Sequence, residues 1–208
     1  MQYQLLELAL KEVGVTDANI EVDHIKGLNR VNGIILELKY PDSFLDHIKL
    51  LSQKKIYDYV FKGTTKVDAA SLNRNELLEK FNHPKNKVIS TSKGIKRKNK
   101  TEFDKEYYQL LANSRYSLCP NWGGIHWDHQ YAWTYRFIEA TFCKSIPIVF
   151  DETPLGTNNT KDIIYFSNNN LSTLKDKEYN NIVEQNYIKG IKHWTLQDSE
   201  VKLIKKNS

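Results

Sequence analysis

Cysteine is scarce: the 208-residue chain has two, Cys119 and Cys143. Both lie in apolar runs, so they are expected as small buried side chains rather than as a disulfide. No apolar run approaches the ~20 residues that a membrane-spanning helix needs. The start, Met1-Gln2-Tyr3-Gln4, lacks the basic opening and apolar stretch of a signal peptide, so the expected location is cytoplasmic. No strong charge of one sign is present either: 30 basic residues are interspersed with 25 acidic ones, a net charge of +5. That mild excess suits an anionic partner, whether a nucleotide diphosphate, nucleic acid or a membrane surface, without choosing among them. There is no internal repeat and no true linker. What remains is a globular composition, 40% hydrophobic and 26% charged, with twelve tyrosines, eight phenylalanines and four tryptophans to fill a core. Disorder across the whole chain is excluded on the same ground.

The chain divides into two sections by pattern. In residues 1–54, Leu5, Leu6, Leu8, Ala9 and Val13 fall at helical spacing, and Gly14 stops that helix. Ile20 to Ile25 alternates as a strand, a turn is expected over Gly27 to Asn32, and Gly33 to Leu38 forms a second strand. Pro41-Asp42-Ser43 opens a helix with Phe44, Leu45, Ile48 and Leu51 on one face. From residue 55 to 208 the pattern changes to repeated strand–helix units. Strands are expected at Ile56–Phe61, Lys87–Thr91, Tyr116–Pro120, Ile146–Asp151 and Ile163–Phe166. Helices are expected near Leu72–Phe81, Asp104–Ala112 and Ala132–Phe142, with a helical tail from Lys177 that ends in a charged, frayed segment. This succession implies an α/β fold, a mostly parallel Rossmann-like sheet with helices on both faces.

In such a sheet ligands bind beyond the carboxyl ends of the strands. Three polar segments qualify. Lys62-Gly63-Thr64-Thr65 could bring backbone amides to a phosphate, Gly63 permitting close approach, or could be an ordinary turn. The basic run Lys93, Lys96, Arg97, Lys98 and Lys100 reads as a solvated loop, since no aromatics are interleaved for nucleic-acid stacking. The third, Pro120 to Gln130, carries two glycines, two histidines, two tryptophans and an aspartate. His126, Asp128 and His129 fit no closed zinc spacing. Asp128 or His126 can serve as a general base; a polar loop stiffened by Trp122 and Trp127 is the equal alternative. Just after it, Arg136 and Glu139 stand one helical turn apart. The guanidinium fork suits a diphosphate and the carboxylate suits ribose hydroxyls, whereas a solvated i, i+3 ion pair would have the same spacing.

Taken together, these residues resemble the exostosin-like glycosyltransferases. The motif order is Ser114-Arg115-Tyr116-Ser117-Leu118-Cys119-Pro120, then Arg136-Phe137-Ile138-Glu139-Ala140, then, after five residues, Ile146-Pro147-Ile148-Val149. Upstream, Tyr59-Val60-Phe61-Lys62-Gly63 and Arg74-Asn75-Glu76-Leu77-Leu78 are similar to the family's Phe-x-Gly strand end and Arg-x-x-Leu helix, and Glu106 to Leu111 to its helix before the Cys-Pro strand. The resemblance covers roughly residues 55–170. It departs at Lys144-Ser145, where the family has Gly-Cys, and in a longer, more aromatic loop from Asn121 to Tyr135. It implies the donor half of a two-domain GT-B enzyme binding a nucleotide-diphosphate sugar. Gly63, Arg74, Asn121, Arg136 and Glu139 would line the donor site, with Asp128 and His126 the nominated catalytic bases. It also implies metal-independent transfer without a cofactor, in keeping with the lack of an Asp-x-Asp pair. The acceptor would be a glycan or surface polysaccharide. Residues 1–54 offer two expected strands and two helices, so the acceptor side would be reduced or completed by a partner chain or second copy. The alternatives are a non-catalytic nucleotide-sugar-binding subunit and a nucleic-acid-binding protein using residues 93–105.

Overall fold

The computed structural model describes residues 2–23, 28–63, 78–81, 83–90, 102–120, 134–150, 160, 162–171 and 174–207. The expected α/β architecture is present. Strands β4 (Tyr57–Gly63), β5 (Lys87–Ser90), β6 (Ser114–Leu118), β7 (Ile146–Val149) and β8 (Phe166–Ser167) form one five-stranded sheet in the order β5-β4-β6-β7-β8. Every pairing in it is parallel. Counted along the chain within this sheet, the order is two, one, three, four, five, so the winding reverses between β4 and β6.

Alternation along the strands sends side chains to two cores. Val60, Cys119 and Val149 join the helices α2 (Asp42–Lys49), α3 (Lys105–Ala112) and α4 (Tyr135–Phe142) on one side. Phe61, Tyr116, Leu118, Ile146 and Ile148 meet Leu78, Phe81 and the first half of α5 (Asp176–Trp194) on the other. The opposite-face placement follows from crossovers of one hand running in opposite directions from β4. Asp104 caps α3 by accepting from the Tyr107 amide at 3.0 Å. Gly190 lets α5 approach α4 closely: a Cβ there would meet Thr141 Cγ2 at 2.7 Å.

The first section is a separate antiparallel meander. Helix α1 (Gln2–Glu12) ends at Gly14, whose φ is +73°. Strands β1 (Ile20–Asp23), β2 (Leu28–Val31) and β3 (Ile34–Glu37) follow. The expected turn over Gly27 to Asn32 is corrected: Leu28–Val31 is the middle strand, and the turn is Asn32-Gly33 with Val31 opposite Ile34. Both turn residues have positive φ, 48° and 81°, the two-residue hairpin geometry that asparagine–glycine favours. The section therefore has three strands, not two.

The tail is also different from the expected frayed end. Helix α6 (Asp198–Lys206) opens with a capping box between Gln197 and Glu200. Its Ile204, with no exposed surface, completes a core with Leu6, Leu10, Val31 and Leu36. Lys39 is 3% exposed; it donates to the His193 and Thr195 carbonyls at 2.9 and 3.1 Å and pairs with Glu200 at 2.7 Å. Sections 1–54 and 55–208 thus share their cores, because Phe44 of α2 packs on Tyr108 of α3 and Tyr40 on Phe142 of α4, while α6 returns to the meander. The strand expected over Ile163–Phe166 shrinks to Phe166–Ser167. Asn186 of α5 takes both backbone groups of Ile164, at 2.8 and 2.7 Å, in place of a ladder partner.

Cys119 and Cys143 are free and buried, as expected. Burial pushes the Cys119 thiol up to about 12 and raises that of Cys143 as well. Among the described residues, no helix is long and apolar enough to cross a membrane.

Candidate functional site

The winding reverses between β4 and β6, and the carboxyl ends of these strands are the position where doubly wound sheets bind ligands. Helix α4 begins beside it. Thr134 caps the helix weakly, its hydroxyl lying 3.4 Å from the Arg136 amide. Phe137 and Ile138 anchor α4 in the core on one side of the sheet. The guanidinium of Arg136 nevertheless lies 4.4 Å over the ring of Phe61, which belongs to the core on the other side. The side chain therefore passes over the carboxyl edge of the sheet. There its Nη2 donates to the Lys62 carbonyl at 2.8 Å.

Gly63 makes that passage sterically feasible. It is the last residue of β4, paired with Ser90, rather than part of a turn. A Cβ at this position would come 2.8 Å from Arg136 Nη2 and 3.1 Å from the Phe61 ring, so a side chain would displace the guanidinium. The structure thus brings Gly63 and Arg136 into direct contact. Arg136 Nε is buried and has no hydrogen-bond partner among the described residues. A guanidinium donor left unsatisfied in this way costs roughly 1–3 kcal/mol, which an oxyanion accepting from it would recover.

Glu139, one turn along α4, has a different environment. It is 2% exposed, which removes the solvated ion pair as a description of the Arg136–Glu139 spacing. Its Oε1 accepts from the hydroxyls of Tyr40 and Tyr108, both at 3.2 Å, and its Oε2 accepts from Tyr107 at 2.7 Å. Tyr107 and Tyr108 come from α3, and Tyr40 from the segment between β3 and α2, so one carboxylate ties three parts of the fold together. A buried carboxylate is tolerable only when hydrogen-bonded in this manner. Cys119, just beyond β6, feels both groups: the charge of Arg136 pulls its thiol down and that of Glu139 pushes it up, each less than burial does.

The three tyrosines and Phe61 were not singled out by the sequence as site residues. The adjacent pair Tyr107-Tyr108 on an amphipathic helix was the available signal, since a phenol turned into a core needs a hydrogen-bond partner for its hydroxyl; Tyr40 carries none. Arg74, Asn121, His126 and Asp128 lie outside the described residues, as does the basic run from Lys93 to Lys100. Among the described residues no cluster of three or more metal-ligating side chains occurs. In comparisons with known proteins, no family model and no curated protein matches the chain.

Proposed function

We propose that the chain is a glycosyltransferase of the GT-B, exostosin-like type, whose carboxyl sheet edge binds the diphosphate of a nucleotide-sugar donor for transfer to a glycan. The observation that carries this reading is the Arg136 guanidinium, held over Gly63 at the switch point with a buried Nε that lacks a partner among the described residues. A diphosphate offers the paired oxygens that a guanidinium fork is shaped to meet. In transfer without a metal, the negative charge that develops on the leaving diphosphate has to be met by such a cation and by the amides of a helix start. Arg74, Asn121, Asp128 and His126 enter this site on the strength of the sequence resemblance.

A second reading is a donor-binding subunit that works through another chain. The observation favouring it is that residues 2–51 form an antiparallel meander with two helices rather than a second parallel sheet. Titration with UDP and GDP tests the shared premise. Arg136→Ala is expected to weaken binding by about 1.5–3 kcal/mol, the scale of a hydrogen bond to a charged group. Donor turnover then separates the readings: transfer or hydrolysis by the purified chain supports the enzyme, and tight binding without turnover supports the subunit.

A further inference from the structure

We infer that Glu139 is a positioning residue for Arg136, locked as a buried carboxylate by three tyrosine hydroxyls, and does not itself contact the donor. The inference rests on the donor-site reading of Arg136 and revises the part that the Arg-x-x-Glu spacing suggests for its fourth residue. A carboxylate that binds ribose hydroxyls has to present oxygen lone pairs to an open pocket. Glu139 is 2% exposed and spends its oxygens on Tyr40, Tyr107 and Tyr108. The hydroxyls reach it from α3 and from the segment leading into α2, so they fix α4 at its middle against two other elements. Arg136 sits one turn before that anchor, and its guanidinium must cross the sheet edge to reach the Lys62 carbonyl and the Phe61 ring. A small rotation or slide of an eight-residue helix would carry it off both. The tyrosine lock suppresses that movement, and because Tyr40 belongs to the first section, docking of the meander region is felt at the anion site.

Three roles for Glu139 predict three different patterns in titrations of the whole chain with inorganic pyrophosphate and with UDP and GDP. Positioning predicts that Glu139→Gln and Tyr107→Phe weaken pyrophosphate and nucleotide alike, each by about tenfold, the value of one hydrogen bond. A ribose contact predicts that Glu139→Gln weakens the nucleotide and leaves pyrophosphate unchanged, which overturns the proposal. A carboxylate acting only as a nearby negative charge predicts tighter binding of both anions when neutralised, which overturns it too. The Arg136 Nε–H resonance, assigned by its loss in Arg136→Lys, gives a readout independent of any ligand. It should be sharp and shifted from the exposed arginines in the wild type, and broadened or moved toward them in Tyr107→Phe. An unchanged resonance in folded Tyr107→Phe defeats the proposal even if pyrophosphate binds. Conversely, a wild type that binds neither anion, or an Arg136→Ala variant that binds both as tightly, removes the donor-site reading, while the resonance still decides whether Glu139 positions Arg136. Should Glu139→Gln fail to fold, Tyr107→Phe carries the test.

Discussion

At the amino ends of the parallel strands, Lys55 donates to the carbonyls of Ala112 and Cys143 at 2.7 and 3.3 Å, closing the carboxyl termini of α3 and α4. Arg115 there pairs with Asp176 at 2.7 Å, donates to the Leu174 carbonyl at 3.1 Å and lies 4.3 Å over the Tyr179 ring. At the carboxyl ends, Arg136 has a carbonyl and a ring, and a buried Nε with no partner among the described residues. A cation that serves the fold is surrounded by acceptors supplied by the fold. On the proposed reading Arg136 serves a ligand and keeps a donor in reserve, at a cost in stability that the rest of the structure offsets. The same contrast recurs within α4, where both oxygens of Glu139 accept from tyrosine hydroxyls while Arg136 Nε, one turn away, has no partner among the described residues.

The largest expected effect breaks the saturated side. Glu139→Ala removes the acceptor of three buried hydroxyls, and should lose about 3–5 kcal/mol in urea denaturation, whereas Arg136→Ala should lose no more than about 1 kcal/mol. Equal losses would erase the distinction between the anchor and the poised group. A smaller effect tests the reserve. Gly63→Ala places a methyl 2.8 Å from Arg136 Nη2. It should lower pyrophosphate affinity by about tenfold, one hydrogen bond's worth, with the far-ultraviolet spectrum unchanged. Unaltered affinity would mean that the guanidinium can bind from elsewhere.

The parallel sheet was legible because short apolar runs separated by helical periodicity have few other solutions, and four of the five expected strands fall where the sheet has them. The meander was less so. Leu28-Asn29-Arg30-Val31 is half polar, and its strand character comes from the Asn32-Gly33 hairpin that pairs it with β3. The tail was misread because the charges of α6 hide Ile204, whose burial depends on a first section nearly two hundred residues away. At the site, spacing placed Arg136 and Glu139 on one helix face, but spacing does not say what that face meets. The partners that distinguish them, Tyr40 and Tyr107 against Gly63 and Phe61, come from three separate stretches of chain.

A further effect concerns the amino end. Desolvation lowers the Lys55 ammonium from 10.5 to about 8 in the folded protein. Between those values the unfolded chain holds a proton that the folded chain has released, so stability rises with pH across that window. Relative to Lys55→Met, the wild type should therefore gain stability from pH 8 to pH 10 in paired urea titrations. No change would show the ammonium to be fully compensated by its two carbonyls, and a gain as pH falls would show it held more tightly than in water.

The central claim is that the carboxyl end of the sheet holds an arginine reserved for a diphosphate and the amino end holds one committed to the fold. Calorimetric titration of Arg136→Ala and Arg115→Ala with pyrophosphate and UDP compares them directly. The account predicts that Arg136→Ala loses about tenfold to a hundredfold in affinity for both ligands while Arg115→Ala binds as the wild type does. Equal affinities for the two variants, or a loss confined to Arg115→Ala, would contradict it.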